Sequence, residues 1–149
     1  MVINQLSGDV LLQLRTLLEQ MNVCAHELEK ITQGEYEAIR SLNAERIIAL
    51  SDHRIVAHQA LAQLENSCRE LMSRQGVDQS LTLEIIIDLH AGKQASDFQA
   101  LRRNLYERIV KVDKSSQENH LRMHAAYNVS SSILQKLGLA KVEQTYGRR

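Results

Sequence analysis

His120 and His124 lie four residues apart, a spacing that puts both imidazoles on one face of a helix. Such a pair holds zinc in peptidases when a glutamate follows the first histidine and serves as general base. Here the stretch reads His120-Leu121-Arg122-Met123-His124, and that glutamate is missing. A di-iron bundle needs Glu-x-x-His pairs on two helices, yet none of the six histidines has an acid three positions before it. Surface helix histidines are therefore the favoured reading. Cys24 and Cys68 fall in apolar stripes, where a thiol acts as a small hydrophobe rather than a nucleophile or ligand. No glycine spacing matches a phosphate-cradling loop or a dinucleotide fingerprint. Asp52-His53-Arg54 reads as a solvated helix face. The basic cluster Arg102, Arg103, Arg108, Lys111 and Lys114 is interleaved with acids and reads as lacking exposed aromatics, so no nucleic-acid partner is expected. The expectation is a protein that is not an enzyme, with no cofactor and no metal.

The elements that carry these residues follow from what the chain avoids. None of its 149 residues is proline, where average usage of about 5% would give roughly seven. Proline breaks helix interiors by removing a donor and clashing with the preceding turn, so its absence permits very long helices. Aromatics are 3%, which disfavours β-sandwiches and barrels. Hydrophobic residues at 44% and charged residues at 24% exclude a disordered composition. Net charge is zero, mildly acidic in residues 1–75 and mildly basic in residues 76–149, so nothing drives the whole chain toward nucleic acid or anionic membrane. Two isolated cysteines, no membrane-length apolar run and no signal-peptide pattern lead to the expectation of a cytoplasmic protein without stable membrane insertion.

Hydrophobic spacing then divides the chain. Val10, Leu14, Leu17, Met21, Cys24, Leu28 and Ile31 alternate steps of four and three, an unbroken heptad seam. Leu11, Leu18 and Ala25 widen its apolar arc, so this helix is expected to touch two neighbours. Ser7 or Asp9 caps its start, and Gly34 is the expected stop. Thr32-Gln33-Gly34-Glu35 fits a capping box for a second helix running to about Arg74, with a bend or break allowed in its first half. A turn follows at Gly76, and a short helix from Leu81 to about Ala91 is capped by Ser80. Ser96-Asp97-Phe98-Gln99 is a second capping box and opens the last helix, which Gly138 ends. These spacings predict an all-α fold: an elongated antiparallel bundle of three long helices and one short one, with coiled-coil-like packing. Residues 1–138 form a single bundle domain and residues 139–149 a flexible polar tail in this reading.

The last seam turns polar halfway along. It runs Phe98, Leu101, Leu105, Ile109, Val112, then Ser116 and Asn119, then Met123, Ala126, Ser130, Ile133 and Leu137. Ser116 and Asn119 stand where large apolar residues belong, and small residues follow at Ala125, Ala126 and Ser130 to Ser132. Two readings fit. One is a polar layer that fixes helix register, with close helix approach at the small residues. The other is a weakly self-packed half-helix that accepts another amphipathic helix in a groove.

The layout, together with Ser116-x-x-Asn119-x-x-Arg122-Met123 and Thr145-Tyr146-Gly147, resembles the flagellar export chaperone family FlgN. The family carries an Asn-x-x-Asn-x-x-Leu-Leu stretch in its last helix; here the second Asn is kept, the first is Ser, and the Leu pair is Arg-Met. Tyr146-Gly147 falls where the family has its Tyr-Gly tail motif. The resemblance implies a cytoplasmic chaperone of flagellar type III secretion. It implies binding of the terminal amphipathic segments of hook-filament junction proteins (FlgK-like and FlgL-like) and delivery to the export gate protein, FlhA-like. Client contact would fall on Asn119, Met123, Ala126, Tyr127, Ser130, Ile133, Leu134 and Leu137, and gate docking on Tyr146 and Gly147. The competing reading is a structural or adaptor coiled coil, a homo-oligomer that self-associates through the same half-helix.

Overall fold

The computed structural model describes residues 5–138. Its elements are three long helices, α1 (Gly8–Arg40), α2 (Ala44–Arg74) and α4 (Ala95–Lys136), with a short α3 (Leu83–His90) and a 3-10 turn (Gly92–Gln94) before α4. The fold is all-α, with no strand among the described residues.

The central helix is α1. Both stripes seen in its sequence are used: Val10, Leu11, Leu14, Leu18, Ala25, Leu28 and Ile31 are buried, while Leu17, Met21 and Cys24 of the heptad seam are half-buried. α2 covers one side and α4 the other, while the backbones of α2 and α4 stay more than 8 Å apart. The Ser7 hydroxyl caps α1 by accepting from the Val10 N–H at 3.3 Å. The lower core gathers Leu14, Leu18, Cys68, Met72, Ile87, Phe98 and Leu105 from all four helices. A smaller upper core contains Leu28, Ile31, Ala57 and Val112.

Direction along the bundle is read from cross-helix partners. Arg15 stacks on Phe98, Glu29 pairs with Arg108 at 2.8 Å, and Thr32 bonds Asn119. The numbers rise together, so α4 runs parallel to α1 and antiparallel to α2.

Three boundaries differ from the sequence reading. Gly34 does not stop α1; it is buried inside it. A Cβ there would lie 3.2 Å from a Leu50 methyl, so the glycine lets α2 approach closely. The stop lies at Ser41-Leu42-Asn43, where Leu42 takes the left-handed conformation at φ 54° and Asn43 caps α2. The break allowed in helix two is this turn. Second, Thr82 rather than Ser80 caps α3, because Ser80 closes a turn on the Asp78 carboxylate. Third, Ser96-Gln99 is not a capping box. The 3-10 turn leads straight into α4, and the Gln99 amide donates to the Glu84 carbonyl and the Asp88 carboxylate, tying α4 to α3.

Candidate functional site

The buried residues of α4 are Phe98, Leu105, Val112 and Asn119, one every seven residues. Continued, this step reaches Ala126, which is half-buried, and then Ile133, which is exposed. Asn119 is thus the point where the bundle stops enclosing its last helix.

A polar layer marks that point. The Asn119 side-chain amide donates to the Thr32 carbonyl of α1 at 2.9 Å. The Thr32 hydroxyl donates to the Leu28 carbonyl one turn back at 2.7 Å and accepts from the Arg54 guanidinium of α2 at 2.7 Å. Arg54 also forms a two-pronged ion pair with Glu35 of α1, and the two side chains are only 15% and 14% exposed. Arg122 completes the set by donating to the Asn119 carbonyl oxygen at 3.0 Å while its guanidinium lies over the Tyr36 ring. One residue, Thr32, therefore holds α4 by its backbone and α2 by its side chain. Every buried polar atom in this chain of bonds has a partner, the condition under which a polar layer specifies register without destabilising the fold.

This layer corrects the reading of Asp52-His53-Arg54 as wholly solvated. Arg54 turns inward, whereas Asp52 and His53 are exposed. The signal was available in part: a seam that places Ser116 and Asn119 inward demands polar partners on the facing helices. Helical phase alone does not say which of the polar residues on α2 supplies them.

Beyond the layer α4 outruns its support. From Thr32, α1 continues only to Arg40, whereas from Asn119, α4 continues to Lys136. The difference of about nine residues is a projection of about 14 Å at 1.5 Å per residue. No residue from His120 to Leu137 is buried. Met123 is 38% exposed, Tyr127 48%, Val129 60%, Ile133 52%, Leu134 38% and Leu137 64%. Ser130 is exposed and Ala126 half-buried. Asn119 differs from the other residues expected at the client site, since it is enclosed and committed to Thr32. Met123 borders a cleft with Ile39, Ile47 and His120. Gly138, at φ 68°, ends the helix, with its N–H bonded to the Gln135 carbonyl. Tyr146 and Gly147 lie outside the described residues.

The remaining chemistry-bearing residues stay apart. The rings of His120 and His124 meet edge to face at 4.8 Å, and among the described residues no third metal-ligating side chain joins them. Cys68 is buried in the lower core, and burial pushes its thiol above the ordinary range. Cys24 is half-buried rather than enclosed, in a shallow groove beside Val23 and Leu64. The basic cluster on α4 does include an exposed aromatic, Tyr106, contrary to the sequence reading. Two of its cations are paired, Arg102 with Glu84 and Arg108 with Glu29.

Compared with models of known protein families, the chain matches the one described as FlgN protein over residues 11–149. The chain belongs to the FlgN family. Comparison with curated proteins and with solved structures returned no match. FlgN proteins are flagellar export chaperones, so the resemblance seen in Asn119 and Tyr146-Gly147 extends to nearly the whole chain. The match spans all four helices, including the projecting end of α4. Among the described residues no helix is long and apolar enough to cross a membrane.

Proposed function

We propose that this FlgN protein captures a terminal amphipathic segment of a hook-filament junction protein, FlgK-like or FlgL-like, on the projecting end of α4. The observation that carries this reading is the apolar seam from Met123 to Leu137, which continues the heptad of the packed helix with none of its residues buried among the described residues. Helices in water rely on a covered apolar stripe, and a second amphipathic helix supplies that cover. Met123, Ala126, Tyr127, Ser130, Ile133, Leu134 and Leu137 form the contact. The small residues Ala126 and Ser130 let the incoming backbone approach closely. Asn119 acts below the contact, as the anchor that keeps α4 in register while its end is loaded.

Binding of this kind needs no nucleotide or metal, because capture and release follow from competing affinities. The tail, with Tyr146 and Gly147, docks an FlhA-like export gate in this reading, and the chaperone works in the cytoplasm without enzymatic activity. Tyrosine suits a weak anchor, combining a large contact area with a polar end.

Half-exposed Ile133 and Leu137 gain about 1 kcal/mol each on being covered. Replacing both by Asp removes that gain and sets carboxylates against an apolar partner, so affinity for the junction-protein segment drops by about 30-fold or more. Isothermal titration with FlgK-like and FlgL-like terminal segments measures it. Undiminished binding by Ile133→Asp with Leu137→Asp, or none by the wild type, rejects the reading. Tyr146→Ala retains client binding and loses export; unchanged export removes the tail assignment alone.

A further inference from the structure

A second unfilled surface lies on the same molecule. Because α2 and α4 each pack on α1 while their own backbones stay more than 8 Å apart, a furrow runs between them above the smaller core. Two clefts of about 180 Å³ each lie along it, one reaching His58, Leu61 and Ile109, the other Ile47, His120 and Met123. Its apolar lining comes from Ile47 and Leu61 on α2 and from Ile109, Val110 and Met123 on α4, with Val110 49% and Met123 38% exposed. In a four-helix bundle this is where the fourth helix would lie.

We propose that the occupant is the projecting α4 end of a second copy of this chain, so that two unloaded molecules cover each other reciprocally. Three observations favour this occupant. The first is length. The furrow follows α4 from about Ile109 to Met123, and the half-exposed apolar seam runs from Met123 to Leu137, each about 21 Å at 1.5 Å per residue, with about the last 14 Å of the seam projecting past α1. The second is symmetry. Furrow and projection meet at Met123 on one continuous helix, so a two-fold axis beside that residue lays each projection in the other molecule's furrow, and the contact closes at two copies. The third is charge. The described part of α4 beyond Glu118 carries Arg122 and Lys136 and no acid, while Asp113 stands in the furrow without a salt-bridge partner among the described residues. Pairing two projections with each other would instead put basic ends together. The reciprocal dimer goes beyond client capture: it states what covers the apolar seam when no client is present, and a client must displace it.

Analytical ultracentrifugation of the full chain, with and without a junction-protein segment, tests this. The wild type sediments as a dimer in the micromolar range. Ile47→Asp with Val110→Asp, both in the furrow lining and outside the client contact, sediments as a monomer and still binds the segment. In a Cys24→Ser background, Val110→Cys with Leu137→Cys forms an intermolecular disulfide on mild oxidation, whereas Leu137→Cys alone does not. A wild-type monomer throughout the micromolar range overturns the proposal. So does a dimer that survives the furrow substitutions, or efficient cross-linking by Leu137→Cys alone, which means projection-to-projection pairing. A wild-type dimer that passes these tests but binds no segment leaves this inference standing and removes the client reading.

Discussion

Arg54→Met tests the polar layer most directly. An ion pair open to water contributes about 0–1 kcal/mol, and breaking a fully buried one costs about 3–5 kcal/mol. The Arg54–Glu35 pair lies nearer the buried limit, with side chains only 15% and 14% exposed, and Arg54 also donates to the Thr32 hydroxyl. Replacing it with Met keeps the stem but strands the Glu35 carboxylate. The expected loss is about 2–3 kcal/mol, discounted from the buried limit for the remaining access of water. For a domain of about 150 residues that is a fall in Tm of about 5–10 °C. Circular dichroism melts of Arg54→Met, Glu35→Gln and the double variant give the cycle. The double variant should lose less than the sum of the singles by about 1 kcal/mol or more, because the stranded carboxylate is gone. A change within about 0.5 kcal/mol for Arg54→Met, the usual value for a solvated surface side chain, would falsify the inward placement of Arg54.

Further outcomes follow from individual environments. Cys24, half-exposed, reacts with a thiol reagent in the native protein at neutral pH, whereas Cys68 reacts only as denaturant opens the core; equal rates contradict the assigned burial. Because burial raises the Cys68 thiol above its ordinary value of 9.0, the unfolded chain ionises first. Its contribution to stability is therefore complete below that pH and is lost above it, which alkaline melts of wild type and Cys68→Ala compare. Leu42→Asn, at the left-handed turn, raises stability by about 0.5–1 kcal/mol, since a leucine there bears a steric cost of about 1–2 kcal/mol; an unchanged or lower melting temperature counts against the turn geometry. Ile133→Asp with Leu137→Asp leaves the melting temperature of the monomer unchanged, because neither side chain is part of the core.

The long helices were legible because periodicity survives averaging over many turns: the α1 double stripe specified a central helix, and the structure buries both stripes except at Leu17, Met21 and Cys24, which are half-buried. Punctuation was harder to read. Gly34 carries the sequence signature of a helix stop, and Thr32 with Glu35 the signature of a start, yet both signals arise from packing. The glycine clears space for Leu50, Thr32 is the hub of the polar layer, and Glu35 pairs with Arg54. Capping motifs are short enough for tertiary contacts to produce the same letters. The polar interruption at Ser116 and Asn119 was visible, and its two readings divide along α4: the layer ties α4 to α1, and among the described residues no side chain of the seam beyond it is buried. The expected close helix approach at Ser130 to Ser132 finds no partner helix among the described residues, because sequence phase does not reveal how far the neighbouring hairpin reaches.

That reach has a consequence of its own. The α1–α2 hairpin acts as a sleeve, and the turn at Leu42 sets where the sleeve ends. Lengthening both arms by one heptad would slide its rim about 10 Å up α4 without altering a residue on α4 itself. The exposed length of the working helix is therefore dialled from a distance, by two segments that need make no contact with anything it binds.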